Sequence, residues 1–135
     1  MRSQKSIIAR GGLLAGLVLV LLAPVLAGCG VGPATNEEKI SKTATAYLTA
    51  LADGDVAKAC AQLTRRAKGG GCEAAMTERL ARLDSDALDQ AAEDSIAIEI
   101  HGDTATAALS EPEGARFVLA RIGDDWRIDS GYTLG

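Results

Sequence analysis

The spacing of apolar residues divides the chain into zones. Gly11–Ala27 (GGLLAGLVLVLLAPVLA) is apolar without interruption and follows Arg2, Lys5 and Arg10. That run is just short of a comfortable membrane span. Residues 29–36 contain Gly and Pro and have no period, which predicts a short flexible tether. From residue 37 to 135 the pattern is that of a folded domain. Thr35-Asn36-Glu37-Glu38 has the form of a capping box, with acidic residues in the first turn where the helix dipole favours them. Ile40, Ala44, Tyr47, Leu48 and Leu51 then recur at helical spacing and make one stripe. Gly54 can end that helix and Asp55 can cap the next. The second helix is expected to run from Val56 to the Lys68-Gly-Gly-Gly71 break, burying Val56, Ala59, Cys60 and Leu63. A third starts at Cys72 and carries Ala75, Met76, Leu80 and Leu83, and a short fourth covers Asp84–Glu93.

At Ser95 the period changes to two. Ile96, Ile98 and Ile100 alternate with Ala97 and Glu99, and Gly102-Asp103 signals a turn. Thr104–Leu109 alternates again. Phe117–Ile122 is apolar on both faces up to Arg121, which predicts a central strand, and Gly123-Asp124-Asp125 turns the chain into Trp126–Tyr132. Strands joined in sequence by short turns form an antiparallel meander, and the preceding helices supply the cover for its apolar face. The expected fold class is α+β, with N-terminal helices packed on a four-stranded antiparallel sheet.

Charge changes the picture at one point. Three of the 14 basic residues precede residue 29 and all 18 acidic residues follow it, so residues 29–135 carry 11 basic against 18 acidic groups, a formal charge of −7. That balance argues against nucleic acid and against electrostatic adhesion to an anionic bilayer. A basic start, an apolar run and Leu26-Ala27-Gly28-Cys29 together resemble the signal peptide and lipobox of bacterial lipoproteins. The resemblance implies that residues 1–28 are removed by cleavage between Gly28 and Cys29. It also implies that the Cys29 thiol carries a diacylglyceryl group and that the product is held on the extracytoplasmic face of the cell membrane. Two acyl chains anchor stably where one is marginal.

A second resemblance rests on Ala46-Tyr-Leu-Thr-Ala-Leu-Ala-Asp-Gly-Asp-Val-Ala-Lys-Ala-Cys60 and on Gly123-Asp-Asp-Trp-Arg-Ile-Asp-Ser130. These segments are similar to the helix–Gly-Asp–helix opening and the final strand of the NTF2-like (SnoaL-like) superfamily, in particular its small actinobacterial lipoproteins. The resemblance spans roughly residues 37–132 and implies a curved sheet wrapping the first helix into a cone. Between Gly69 and Glu93 the family's short first strands are replaced by helical patterns. Enzymes of the superfamily place acid and base groups in the cone mouth, which makes Tyr47 on the first helix a candidate pocket residue; Trp126 reads as core or sheet cover, with ligand stacking in the pocket as the alternative. Tyr47 also lies on the apolar stripe, where a tyrosine packs.

With Cys29 lipidated, Cys60 and Cys72 remain. In an oxidising compartment they are expected to form a disulfide across a short glycine-rich loop. A redox dithiol or a metal pair is the rival reading, and neither the spacing nor the lone His101 favours it. Asp84, Asp86, Asp89, Glu93 and Asp94 read as a solvated helix face. No catalytic residue, metal site or cofactor is expected. The expected function is a non-catalytic, membrane-anchored envelope lipoprotein whose domain binds a partner protein or a small apolar ligand. The alternatives are an NTF2-like isomerase, hydratase or cyclase, and a structural accessory subunit of an envelope complex.

Overall fold

The computed structural model describes residues 32–111 and 113–131. The signal segment, Gly28 and Cys29 lie outside the described residues, as does Tyr132. The element order is α1 (Asn36–Ala52), α2 (Val56–Ala61), α3 (Arg65–Lys68), α4 (Cys72–Leu80), α5 (Ser85–Glu93), β1 (Ile96–His101), β2 (Thr104–Leu109), β3 (Arg116–Ile122) and β4 (Asp125–Ser130). The fold is α+β, with helices against an open, four-stranded antiparallel sheet in the order β1-β2-β3-β4.

Thr35 starts α1. Its hydroxyl accepts from the Glu38 N–H at 3.2 Å, and its own N–H donates to the Glu38 carboxylate at 2.7 Å. Two otherwise orphaned donors are thereby satisfied. The stripe Ile40, Ala44, Tyr47, Leu48 and Leu51 is buried. In β1 the three isoleucines pair with Leu109, Ala107 and Ala105 of β2, so they share the inward face. Phe117 and Leu119 of β3 and Trp126 and Ile128 of β4 complete that face, each no more than 1% exposed. Val118 and Ala120 on the other side of β3 are half-buried, while Glu99, Thr104, Arg116 and Ile122 stand in solvent. The second apolar face of β3 therefore reflects a central position among strands rather than a second helical layer.

The two edge strands grip α1 at the same height. On one side, Ile98 of β1 lines a groove with Glu37, Ser41 and Thr45. On the other, Trp126 of β4 donates its indole N–H to Asn36 at 3.2 Å, and its carbonyl accepts from the Thr43 hydroxyl at 3.0 Å. Both edge strands therefore lie beside α1, one along each flank.

The single helix expected from Val56 to Lys68 is broken. Leu63 forms a parallel bridge with Ile128, the Thr64 N–H donates to the Ile128 carbonyl at 2.8 Å, and the Ile128 N–H donates to the Gln62 carbonyl at 2.9 Å. The outer edge of β4 carries backbone groups that need partners, and Gln62–Thr64 leaves the helix to supply them. Thr64 then caps α3 by accepting from the Ala67 N–H at 3.1 Å. Leu63 is buried as expected, but outside a helix, and Val56 is only half-buried. In α4 Met76 alone is fully buried, Ala75 is exposed and Leu80 is partly covered, as is Leu83 in the turn that follows, beyond the end of the helix.

Asp129 of β4 locks this break in place. It accepts from the Thr64 hydroxyl at 2.7 Å and from both the Nε and an Nη of Arg66. The Arg66 guanidinium, and after it the Thr64 hydroxyl, holds the Asp129 carboxyl below its ordinary range. A carboxyl whose folded pKa is depressed stabilises the fold fully above its unfolded pKa, and that contribution is lost as pH falls through the folded value. In urea unfolding, the stability gap between wild type and Asp129→Asn should be widest near neutral pH and narrow on the acid side of about pH 4. A gap independent of pH would show that the charge of Asp129 does not stabilise the fold.

Gly131 follows β4 with φ of +77°, and a Cβ there would strike the Arg116 carbonyl oxygen. Gly131→Ala should therefore destabilise the domain by about 2 kcal/mol or more. Gly70→Ala, where a Cβ meets open space, should change stability by no more than about 0.5 kcal/mol. Equal unfolding midpoints for the two variants would contradict this.

Candidate functional site

Both residues expected to line a pocket, Tyr47 and Trp126, are buried in the same core cluster. Tyr47 lies in the centre of the core at 0% exposure, its ring edge-on to Phe117 with centroids 5.5 Å apart. Its hydroxyl points to the Met76 sulfur at 3.7 Å. The chain has one Trp, one Phe and two Tyr, and Trp126, Phe117 and Tyr47 are the three largest fully buried side chains. These three side chains thus fill much of the core. Trp126 is also buried, yet it forms part of the wall of a surface cleft.

That cleft, of about 520 Å³, runs between α1, Gln62 and β4. Ala34, Ala46 and Trp126 are among its lining residues. Three cationic residues stand around it: Lys39, Lys42 and Arg127. Lys39 Nζ donates to the Asp124 carbonyl at 2.9 Å, a neutral acceptor that leaves the charge of Lys39 uncompensated. Arg127 stands 3.7 Å from the Asp125 carboxylate. Lys42 makes no hydrogen bond or ion pair among the described residues, and neither does the Gln62 amide. Glu38, the other carboxylate of the cleft, is engaged in the cap of α1. A second groove, of about 630 Å³, lies across the ridge of Glu38, Lys42 and Ala46, on the β1 side, with Ile98 in its wall.

Sequence reasoning missed this cleft. Its residues are scattered over 34–127 and share no motif. The one local signal was that Lys39, Lys42 and Ala46 lie just off the apolar stripe of α1, where a helix meets the edge of its sheet.

The remaining candidates are dispersed. Cys60 at the end of α2 and Cys72 at the start of α4 are joined as a disulfide, with a Cα–Cα distance of 6.1 Å. Gly69, Gly70 and Gly71 make the connecting turn, and Gly69 has φ of +55°. His101 is exposed at the end of β1. In the acidic run, Asp84 caps α5 by accepting from the Asp86 N–H at 3.0 Å. Asp86, Asp89 and Glu93 face solvent, and Asp94 is half-buried at the C-cap. Among the described residues no group of three or more His, Cys, Asp or Glu side chains could hold a metal ion. None of the described helices is long and apolar enough to cross a membrane.

The resolved pKa shifts fall on two ion pairs. The Lys58 backbone N–H and then its side chain lower Asp55, which in turn raises Lys58, while Arg66 and Asp129 act on each other in the same sense. Each shift favours the charged form, as expected of salt links and opposite to the desolvation that prepares a general acid or base at neutral pH.

Comparison of the chain with protein-family models, with curated proteins and with solved structures finds no match.

The Cys60–Cys72 link spans a sequence separation of 12, a loop for which chain entropy gives about 3 kcal/mol. Reduction of the folded protein, or the Cys60→Ser, Cys72→Ser double variant, should lower unfolding stability by about that amount. Peptide mass spectrometry without reduction should recover the two cysteines joined. Both appearing as alkylated free thiols would refute the pairing in the native protein.

Proposed function

We infer that this chain is an exported lipoprotein, anchored through Cys29 to the extracytoplasmic face of a cell membrane, whose domain is a non-catalytic binding module of NTF2-like type. The observation that carries the reading is the pairing of Cys60 with Cys72. The chain has three cysteines, so that pair leaves a single thiol, and it stands at the lipobox position of Leu26-Ala27-Gly28-Cys29. A disulfide between the other two also suits an oxidising compartment.

The NTF2-like assignment is supported by a sheet whose edge strands lie on both flanks of the first helix. The chain departs from that pattern where α4 and α5 stand in place of short initial strands. The filled interior supports binding over catalysis. The volume that superfamily enzymes use for acid and base groups is taken up here by Tyr47, Phe117 and Trp126, none more than 1% exposed. Recognition of a partner protein or a small ligand then falls to the outer surface, where the cleft beside α1 is lined by unengaged polar groups.

Growth with an alkyne-tagged fatty acid should label the wild-type protein, and the label should follow the membrane fraction. Cys29→Ala should lose the label and accumulate as uncut precursor. A labelled Cys29→Ala variant, or an unlabelled wild type beginning at Met1, would overturn the anchor assignment.

A further inference from the structure

We propose that the cleft between α1 and β4 is a binding site for a small amphiphilic anion, a carboxylate carried on a short apolar body. The proposal rests on the reading of the domain as a binding module and does not depend on the lipid anchor.

Residues 29–135 carry 11 basic against 18 acidic groups, so the average surface repels anions. The cleft reverses that balance locally, with Lys39, Lys42 and Arg127 around one opening. Two carboxylates, Glu38 and Asp125, also line it, so the cationic groups are in excess by one. Glu38 is bound to the Thr35 N–H at 2.7 Å. Asp125 stands off Arg127 at 3.7 Å, too far for a hydrogen bond. A guanidinium has five donors, so Arg127 can keep Asp125 as a neighbour and still present a face to a ligand. Lys42 and the Gln62 amide have no partner among the described residues. The donors that remain are a full ammonium, most of a guanidinium and a side-chain amide, which together match a carboxylate.

The apolar lining sets the other half of the ligand. Ala34 and Ala46 supply apolar lining beside the almost wholly buried Trp126, and the polar groups near them are already occupied. The Thr43 hydroxyl is bound to the Trp126 carbonyl, and the indole N–H to Asn36. A wholly polar anion would leave this lining without a contact. A volume of about 520 Å³ lies at the lower end of the range for small-ligand sites, so the apolar body is short.

Trp126 is the only tryptophan in the chain and forms part of the cleft wall, so its emission reports occupancy. The full chain, reconstituted in phosphatidylcholine vesicles, is titrated with hydrocinnamate, with phenylpropylamine and with inorganic phosphate. Hydrocinnamate should give a saturable change in emission, the amine none, and phosphate a much weaker one. Lys42→Gln and Arg127→Gln should each weaken hydrocinnamate roughly tenfold, the worth of one charge-assisted hydrogen bond. Glu99→Gln, on the outer face of the sheet, should leave it unchanged, and urea midpoints of the variants confirm that each is folded. Saturable binding of the amine with none of the acid would overturn the anion assignment while sustaining the cleft as a binding site. Phosphate binding as tightly as hydrocinnamate would overturn the apolar half. An absence of any saturable response would overturn the site itself and leave the anchor assignment to its own test.

Discussion

The enclosure of α1 governs the rest of this domain. Ile40, Ala44, Tyr47, Leu48 and Leu51 make a stripe that needs cover on more than one side, and the chain supplies four short strands to provide it. Ile98 and Trp126 of the two edge strands lie on opposite flanks of the helix, and side-chain bonds to Asn36 and Thr43 fix the β4 side. Three aromatic residues then fill the centre. In a chain with so few aromatics, placing Tyr47, Phe117 and Trp126 together commits nearly all of its large rigid side chains to one cluster.

That concentration leaves the segment between α2 and α5 poorly supplied with apolar contacts. No residue of α3 is buried, and Met76 is the only fully buried residue of α4. Hydrophobic burial is the dominant favourable term in folding, so such a segment would open readily if nothing else held it. Two other devices act on this stretch. The Cys60–Cys72 disulfide closes it covalently, and Asp129 ties Thr64 and Arg66 to β4. Both are interactions of chemistry rather than of area, and they fall where area is scarce.

The parts of the fold governed by neighbours in sequence were legible. The capping box at Thr35, the glycine turn at Gly54 and the alternation of the isoleucines in β1 are local signals, and each element stands where its pattern put it. The break at Gln62–Thr64 was not legible, because its cause lies at Ile128. A helical period through Leu63 is real, but the backbone of an edge strand more than sixty positions away competes for those residues and wins. The same limit hid the cleft. Lys42 and Arg127 are ordinary surface charges in sequence, and only the packing of the sheet brings β4 beside that flank of α1. Tyr47 was ambiguous for the opposite reason. Its place on the stripe fitted both a packed core and the wall of a cavity, and the answer turned on whether Phe117 and Trp126 fill the interior.

The cleft and the proposed anchor are close together along the chain. Ala34 lines the cleft, and Cys29 lies five positions earlier. An extended chain spans at most about 3.5 Å per residue, so the five residues from Cys29 to Ala34 reach at most roughly 20 Å. If so anchored, an acidic domain on so short a tether would be pushed away from anionic headgroups by its overall charge. A small anion in the same layer meets the opposite field at this one opening, where Lys39, Lys42 and Arg127 converge. A soluble domain would have to find such a ligand in bulk solution. Tethered, it would sample the layer beside the bilayer continuously, and amphiphilic acids are enriched there because their apolar bodies favour the interface.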